Sequence, residues 1–205
     1  ADTSFTWSVS DALGTIDEDG TFTAVQTGRD VTGTLTVTYG ETSCTLPVTV
    51  GSSQPFDDTK GHWAESYITE LYYAGTLQGS EKNGKLYYRP DASMTRQEFI
   101  VAMMRYLGTD LSAYASVQLP FDDSGSIASW AKSAMQAAYQ LGYLTGSKTN
   151  GKLLAKPGST ISRQEAMTIL SRTKDFADAD LNVLSAFSDS GKIADWARTA
   201  LAQMT

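Results

Sequence analysis

The sequence predicts a multidomain protein in which an all-β region is followed by mainly α-helical repeats. Residues 1–50 are rich in threonine, valine and glycine and alternate between polar and apolar positions, as half-buried strands do. After about residue 56, alanine, methionine, leucine and tyrosine recur at helical spacing. A motif at residues 94–98 also returns 67 positions later (163 − 96 = 67), which marks an internal repeat. We therefore expect two structurally independent regions, separated by a linker at residues 51–55.

Alternating stretches predict the strands of the first region, at residues 5–9, 34–39 and 43–50. Acidic residues and a glycine at positions 17–20 lie between two apolar stretches, which is typical of a hairpin turn. Cys44 lies in the last stretch, where we expect a small buried side chain rather than a nucleophile. It is the only cysteine, which excludes an intrachain disulfide.

Each helical repeat is predicted to consist of a helix, a glycine-rich loop with a tight turn, and a second helix. Trp63 begins an apolar series at helical spacing, and Trp130 and Trp196 begin the same series again. The third copy is expected to be incomplete, with its first helix packed against the earlier repeats or another chain. An Asn-Gly pair marks the tight turn in each of the first two copies, at Asn83-Gly84 and Asn150-Gly151.

The repeated motif is typical of a helix start. Each copy has a hydroxyl residue with a glutamate three positions later, the pattern of a capping box: Thr95 with Glu98, and Ser162 with Glu165. Capping does not require the arginine that follows the hydroxyl residue, and the helix dipole disfavours a cation in the first turn. Its presence in both copies, as Arg96 and Arg163, suggests an anionic partner. A solvated arginine or an intramolecular salt bridge explains the pattern equally well.

The composition excludes several classes of function. A net charge of −7 argues against general binding to nucleic acid or to an anionic membrane, which needs a basic surface. No apolar run approaches the roughly 20 residues that span a bilayer, and residues 1–15 show no signal-peptide pattern. A nucleophile elbow, a phosphate loop and clustered metal ligands are all missing from the sequence. We therefore expect a protein that is not an enzyme and that needs no cofactor or metal.

The helical part resembles the S-layer homology family, with repeats at residues 56–108 and 121–173 and a truncated third repeat at 187–205. This resemblance implies a pseudo-threefold helical bundle. The residues that carry it in the first copy are Phe56-Asp57-Asp58, Gly61-His62-Trp63-Ala64, Gly75, Gly79, Asn83-Gly84, Pro90 and Thr95-Arg96-Gln97-Glu98.

Residues 1–51 resemble the later part of a bacterial immunoglobulin-like group-2 domain. That resemblance implies a partial all-β immunoglobulin-like sandwich. The stretches that carry it are Trp7-Ser8-Val9-Ser10-Asp11, Ile16-Asp17-Glu18-Asp19-Gly20 and Thr23-Ala24-Val25, followed by the closing strands at residues 34–50.

The S-layer homology resemblance implies a non-catalytic anchor at the bacterial cell surface, outside the cell. In that family, grooves between repeats bind a secondary cell-wall polysaccharide attached to peptidoglycan, often a pyruvylated glycan. The motif arginine is associated with the ligand, and this role is carried onto Arg96 and Arg163. The chemistry agrees, because a guanidinium can pair with a ketal carboxylate through two hydrogen bonds. A helix N-terminus adds further N–H donors.

Four more residues are candidates for contact with sugar. Trp63 and Trp130 could stack on sugar faces, but they begin an apolar stripe, and a core position is the favoured interpretation. Asp58 and Asp123 could accept sugar hydroxyls, although capping or turn closure explains them equally well. Two alternatives remain for the whole chain. One is a structural surface-layer or filament protein held by contacts with other surface-layer subunits, and the other is the anchor of a larger extracellular enzyme.

Overall fold

The computed structural model describes residues 4–205, so the first three residues of the predicted domain at 1–51 lie outside it. The chain forms two compact units, Ala1–Asp91 and Ala92–Thr205. Their boundary lies within the first predicted repeat, not at the linker. The sequence predicts a division at residues 51–55 instead. The physical reason for this difference is that the linker and the first helix pack onto the β region.

Residues 4–50, here called the β region, form two small antiparallel sheets. One sheet has the order β1-β4-β5 and the other pairs β2 with β3. The described part of this region has five strands, whereas an immunoglobulin-like sandwich takes about seven strands in two packed sheets. The strands are β1 (Phe5–Val9), β2 (Gly14–Ile16), β3 (Phe22–Ala24), β4 (Val31–Tyr39) and β5 (Thr42–Val50).

The three-stranded sheet has one threonine-rich face and one apolar face. On the polar face, the hydroxyls of Thr36 and Thr45 lie 2.9 Å apart across two strands. On the other side, Leu13 is fully buried. Residues 42–47 of the edge strand β5 are all exposed. Cys44 is among them, so the expectation that it is buried is wrong.

The remainder of the first unit contains the first helix and a hairpin. Helix α1 spans Glu65–Tyr73, and strands β6 (Ser80–Lys82) and β7 (Lys85–Tyr87) form the hairpin. Its turn has positive φ at both Asn83 (54°) and Gly84 (71°), as the Asn-Gly pair predicts. Phe56 is 3% exposed and packs edge-on against Tyr72 at a centroid distance of 5.0 Å.

In the second unit, the second helix of one repeat packs against the first helix of the next. Thus α2 packs on α3, and α4 packs on α5. Ala197 and Ala200 bury one side of α5, which confirms that the first helix of the third copy packs against the preceding repeat. The elements are α2 (Arg96–Tyr106), α3 (Lys132–Gln140), β8 (Ser147–Thr149), β9 (Lys152–Leu154), α4 (Arg163–Ser171) and α5 (Asp195–Gln203).

The repeated tryptophans are exposed, which contradicts the favoured core interpretation. Trp63 is 82% exposed, and Trp130 and Trp196 are each 57% exposed. The alanine that follows each of the last two, Ala131 or Ala197, is fully buried. The apolar stripe therefore begins one residue later than predicted, and the tryptophan lies at the helix entrance with its ring in solvent.

The repeated aspartates close the loop that follows each hairpin. Asp123 accepts hydrogen bonds from the backbone N–H groups of Ala155 (2.8 Å) and Lys156 (2.7 Å). Asp58 binds the equivalent pair, Tyr88 (2.9 Å) and Arg89 (2.7 Å). Each pair ends in a residue with left-handed φ, 54° at Lys156 and 63° at Arg89. That conformation is unfavourable for a residue with a side chain, so the carboxylate holds a strained segment in place.

Replacing Asp123 by alanine should therefore destabilise the second unit. The change leaves two partly buried amide groups without an acceptor, and we expect the free energy of unfolding to fall by about 2 kcal/mol. Urea denaturation measures the change. Asp175→Ala is the matched control, because Asp175 is exposed and should shift stability by less than about 0.5 kcal/mol. Equal denaturation midpoints for the two variants would contradict the assigned role.

Candidate functional site

Both copies of the motif form the predicted capping box. The Thr95 hydroxyl accepts the N–H of Glu98, whose carboxylate accepts the N–H of Thr95 at 2.7 Å. Ser162 and Glu165 repeat this arrangement at the start of α4, where the carboxylate lies 2.9 Å from the Ser162 nitrogen. Arg96 and Arg163 are consequently the first residues of their helices, as predicted.

The two motif copies are also joined to each other. The first N–H groups of a helix have no acceptor within the helix, but here the chain before α4 supplies acceptors to the start of α2. This pairing brings together residues that are 60 to 67 positions apart in sequence. The backbone hydrogen bonds run from Arg96 N to Ser159 O (2.9 Å), from Gln97 N to Pro157 O (3.0 Å) and from Ile161 N to Met94 O (3.0 Å).

The Arg96 side chain reinforces this junction. Its Nε donates to the carbonyl of Ala155 and its Nη1 donates to Oε1 of Glu165, both at 2.9 Å. The side chain is 11% exposed. Arg96 therefore makes the intramolecular salt bridge that the sequence left as an alternative, and it also lines a pocket. Glu165, which caps α4 in the second copy, thus also forms the salt bridge with Arg96 of the first copy.

The pocket beside Arg96 has a volume of about 310 Å³ and is rich in positive charge. Its lining includes three cationic side chains, Arg96, Lys156 and Arg172, and one carboxylate, that of Glu165. The excess of cations is local, because the whole chain carries a net charge of −7. The other lining residues are Leu144, Thr145, Gly146, Ser147, Thr168, Ile169 and Trp196.

The Glu165 carboxylate remains ionised because of its neighbours. Burial raises the pKa of this group, but the Ser162 amide and hydroxyl and the charges of Arg96 and Lys156 outweigh burial. Together they lower the pKa of Glu165 below its ordinary value. The charged carboxylate pairs with the Arg96 guanidinium at 2.9 Å.

Two pocket cations were missed by sequence reasoning, Lys156 and Arg172. A signal was present, because each has a basic counterpart 67 positions earlier. Lys156 matches Arg89 (156 − 89 = 67), and Arg172 matches Arg105 (172 − 105 = 67). Arg172 is oriented by a 2.8 Å hydrogen bond from its Nη1 to the Tyr143 carbonyl. Partial burial, and then the charge of Arg96, lower its pKa.

Arg163 occupies the equivalent place in the next copy but has a different environment. It is exposed, and no acceptor among residues 4–205 lies within hydrogen-bonding distance of its guanidinium. It lines a pocket of about 460 Å³ together with Phe187, Asp189 and Lys192. Phe187 is 45% exposed, whereas its counterpart Phe121 is 3% exposed.

The other predicted site residues lie outside the pocket at Arg96. Asp123 acts behind it, since its carboxylate holds the backbone of Lys156. Trp130 is exposed elsewhere on the second unit, and the tryptophan that lines the pocket is Trp196. Asp58 and Trp63 belong to the first unit.

Residues 4–205 contain no group of three or more histidine, cysteine, aspartate or glutamate side chains able to hold a metal ion. Within the same range, every helix is too short or too polar to cross a membrane.

Comparison with known proteins yields relatives that share only part of their length with this chain. An endoglucanase from Bacillus sp. (strain KSM-635) is 31% identical over 151 residues, which is 72% of this chain and 15% of the relative. The exoglucanase XynX of Acetivibrio thermocellus is 33% identical over 119 residues, 56% of this chain and 10% of the relative. The surface-layer 125 kDa protein of Lysinibacillus sphaericus is 32% identical over 129 residues, 60% and 10% respectively.

No solved structure matches the chain. The family model of the S-layer homology domain matches twice, and both matches contain one copy of the helix-start motif. These matches coincide with the first two repeats described above. At residues 55–100 and 120–167, the chain therefore belongs to the S-layer homology domain family.

Proposed function

We propose that this chain is a non-catalytic cell-surface anchor that binds an anionic secondary cell-wall polysaccharide, such as a pyruvylated glycan, in the pocket at Arg96. The observation that carries the proposal is that Arg96, Lys156 and Arg172 line one pocket that contains a single carboxylate. An acidic chain repels a polyanion at long range, so attraction must come from a local site of this kind.

The geometry of the pocket suits a carboxylate on a sugar. Arg96 uses its Nε and Nη1 within the protein, and a guanidinium has five N–H donors, so donors remain for a ligand. Lys156 adds a second cation, and Asp123 fixes the backbone that carries it. The ring of Trp196 offers an apolar face for the sugar itself.

The S-layer homology family supports surface anchoring as the general role. The matches to relatives named as glucanases and as a surface-layer protein cover only 10–15% of the length of those relatives. We propose that the region anchors different proteins in the same way, at the outer surface of a bacterial cell. Arg163, Asp58, Trp63 and Trp130 remain proposed glycan contacts in further grooves, and the β region is proposed to be an immunoglobulin-like spacer.

Sedimentation with purified cell walls tests the anchor. The chain should sediment with walls and should remain in solution once the secondary polysaccharide has been extracted. Lys156→Gln should weaken wall binding about tenfold, since one charged hydrogen bond contributes roughly 1.5–3 kcal/mol. The matched control is Lys152→Gln on the exposed face of the hairpin, which should bind like the unmodified chain.

Lys156 is a better test position than Arg96, because Arg96 also holds the two motif copies together. Binding that survives extraction of the polysaccharide would contradict the glycan proposal. Assembly of the chain into sheets or filaments without any wall would instead favour a lattice role.

A pH dependence of stability follows from the double role of Glu165. Its pKa is lower in the folded state than in the unfolded state, so its charge stabilises the fold above the ordinary glutamate pKa of about 4.3. This contribution should be lost as the pH falls through the lower folded-state pKa. Glu165→Gln should thus reduce the free energy of unfolding near pH 7, and the difference should shrink below about pH 4.3. Chemical denaturation across this range measures it, with exposed Glu81→Gln as the control. A pH-independent difference would contradict the assignment.

A further inference from the structure

The β region contacts helix α1 through bare backbone at Gly28. This residue is buried, and a side chain there would collide with the helix. A Cβ at position 28 would lie 2.6 Å from the carbonyl oxygen of Ser66 and 2.8 Å from the backbone nitrogen of Glu70. The φ angle of Gly28 lies outside the left-handed region, so glycine is required by space alone. Backbone of the β region therefore lies directly on the helix.

Thr69 fixes the linker at the same place. It is fully buried on the face of α1 that meets Gly28. Its hydroxyl lies 2.7 Å from Oε1 of Gln54 and 2.9 Å from the carbonyl of Glu65. One turn along the helix, the Tyr73 hydroxyl donates to Oγ of Ser53 at 2.9 Å.

The linker is also bonded to the β region. The N–H of Ser53 donates to the carbonyl of Thr27 at 2.9 Å, and the N–H of Ser52 donates to the carboxylate of Asp30 at 2.8 Å. Residues 52–54 are thus held from both sides, by the segment next to Gly28 and by the helix. A flexible tether would leave these amides in water.

The second repeat shows what this helix face does. Gln136 is the counterpart of Thr69 on α3 (136 − 69 = 67) and is 4% exposed. Its side-chain amide donates to the carbonyls of Ala115 (3.2 Å) and Val117 (2.6 Å), in the chain that connects the first repeat to the second. On α1, the linker and the β region take the place of that connection.

The start of α1 also differs from the later copies. The N–H groups of Ala128 and Ala194 are each bound at 3.0 Å by a motif glutamine, Gln97 or Gln164, from the preceding repeat. At the equivalent position in the first repeat, the N–H of Gly61 donates instead to the carboxylate of Glu65, the first residue of α1, at 2.7 Å. The start of the first repeat is therefore bonded within that repeat, whereas the later starts depend on a glutamine of the preceding repeat.

We propose that the β region and its linker act as the N-terminal cap of the helical repeats. Helix α1 has only nine residues, and isolated helices shorter than about 12–15 residues are marginal in water. Arrays of repeats need a terminal element that covers the first unit. The β region supplies that cover through Gly28 and Thr69, so that α1 folds only while the β region is seated on it.

Hydrogen exchange on the full chain tests the cap. Gly28→Leu should prevent seating, and the amides of residues 65–73 should then exchange at least tenfold faster. The amides of α3 should not change. Gly51→Leu is the matched control, because a Cβ at that linker glycine meets no atom within 4 Å. It should leave the exchange of α1 as in the unmodified chain.

Thr69→Val is the second variant, because it alters the helix face without touching any strand. It removes the hydroxyl that bonds Gln54 of the linker, so exchange in α1 should become faster. The proposal is overturned if α1 in Gly28→Leu exchanges as slowly as in Gly51→Leu, including the case where the β region itself has unfolded. It is also overturned if Thr69→Val leaves the amides of α1 exchanging as slowly as in the unmodified chain.

Discussion

The second unit depends on the junction between the two copies of the helix-start motif. There the opening N–H groups of α2 find acceptors in the segment that leads into α4, and the Arg96 guanidinium bridges Ala155 and Glu165. Each contact satisfies a group that a free helix end would expose to water. Because the junction uses the same residues that cap the helices, capping and assembly of the repeats are a single set of interactions.

The cationic character of the pocket follows from this junction. Glu165 neutralises only one of three clustered cations, and Asp123 holds Lys156 in a left-handed backbone conformation beside them. A site assembled by structural hydrogen bonds is preorganised, so that a ligand does not have to order it. This explains how a chain with net charge −7 can present a cationic pocket.

Local features of the fold could be predicted from the sequence, whereas contacts between distant residues could not. The capping boxes and the Asn-Gly hairpins follow from a few adjacent residues. The pairing of Arg96 with Glu165 spans 69 positions, and no local rule assigns a second partner to a capping glutamate. Trp63 was predicted to lie in the core but is exposed, because helical spacing does not reveal where a helix begins. The contact of Gly28 with α1 depends on how closely two elements pack in the folded chain, and the sequence alone does not give that distance.

Hydrogen exchange of the first-turn amides tests the junction most directly. In an ordinary helix these amides exchange freely because they lack acceptors. Here the amides of Arg96 and Gln97 donate to Ser159 and Pro157, whereas those at the equivalent residues 163 and 164 have no acceptor among residues 4–205. The account predicts at least tenfold slower exchange at residues 96 and 97 than at 163 and 164. Equal rates at the two helix starts would contradict it.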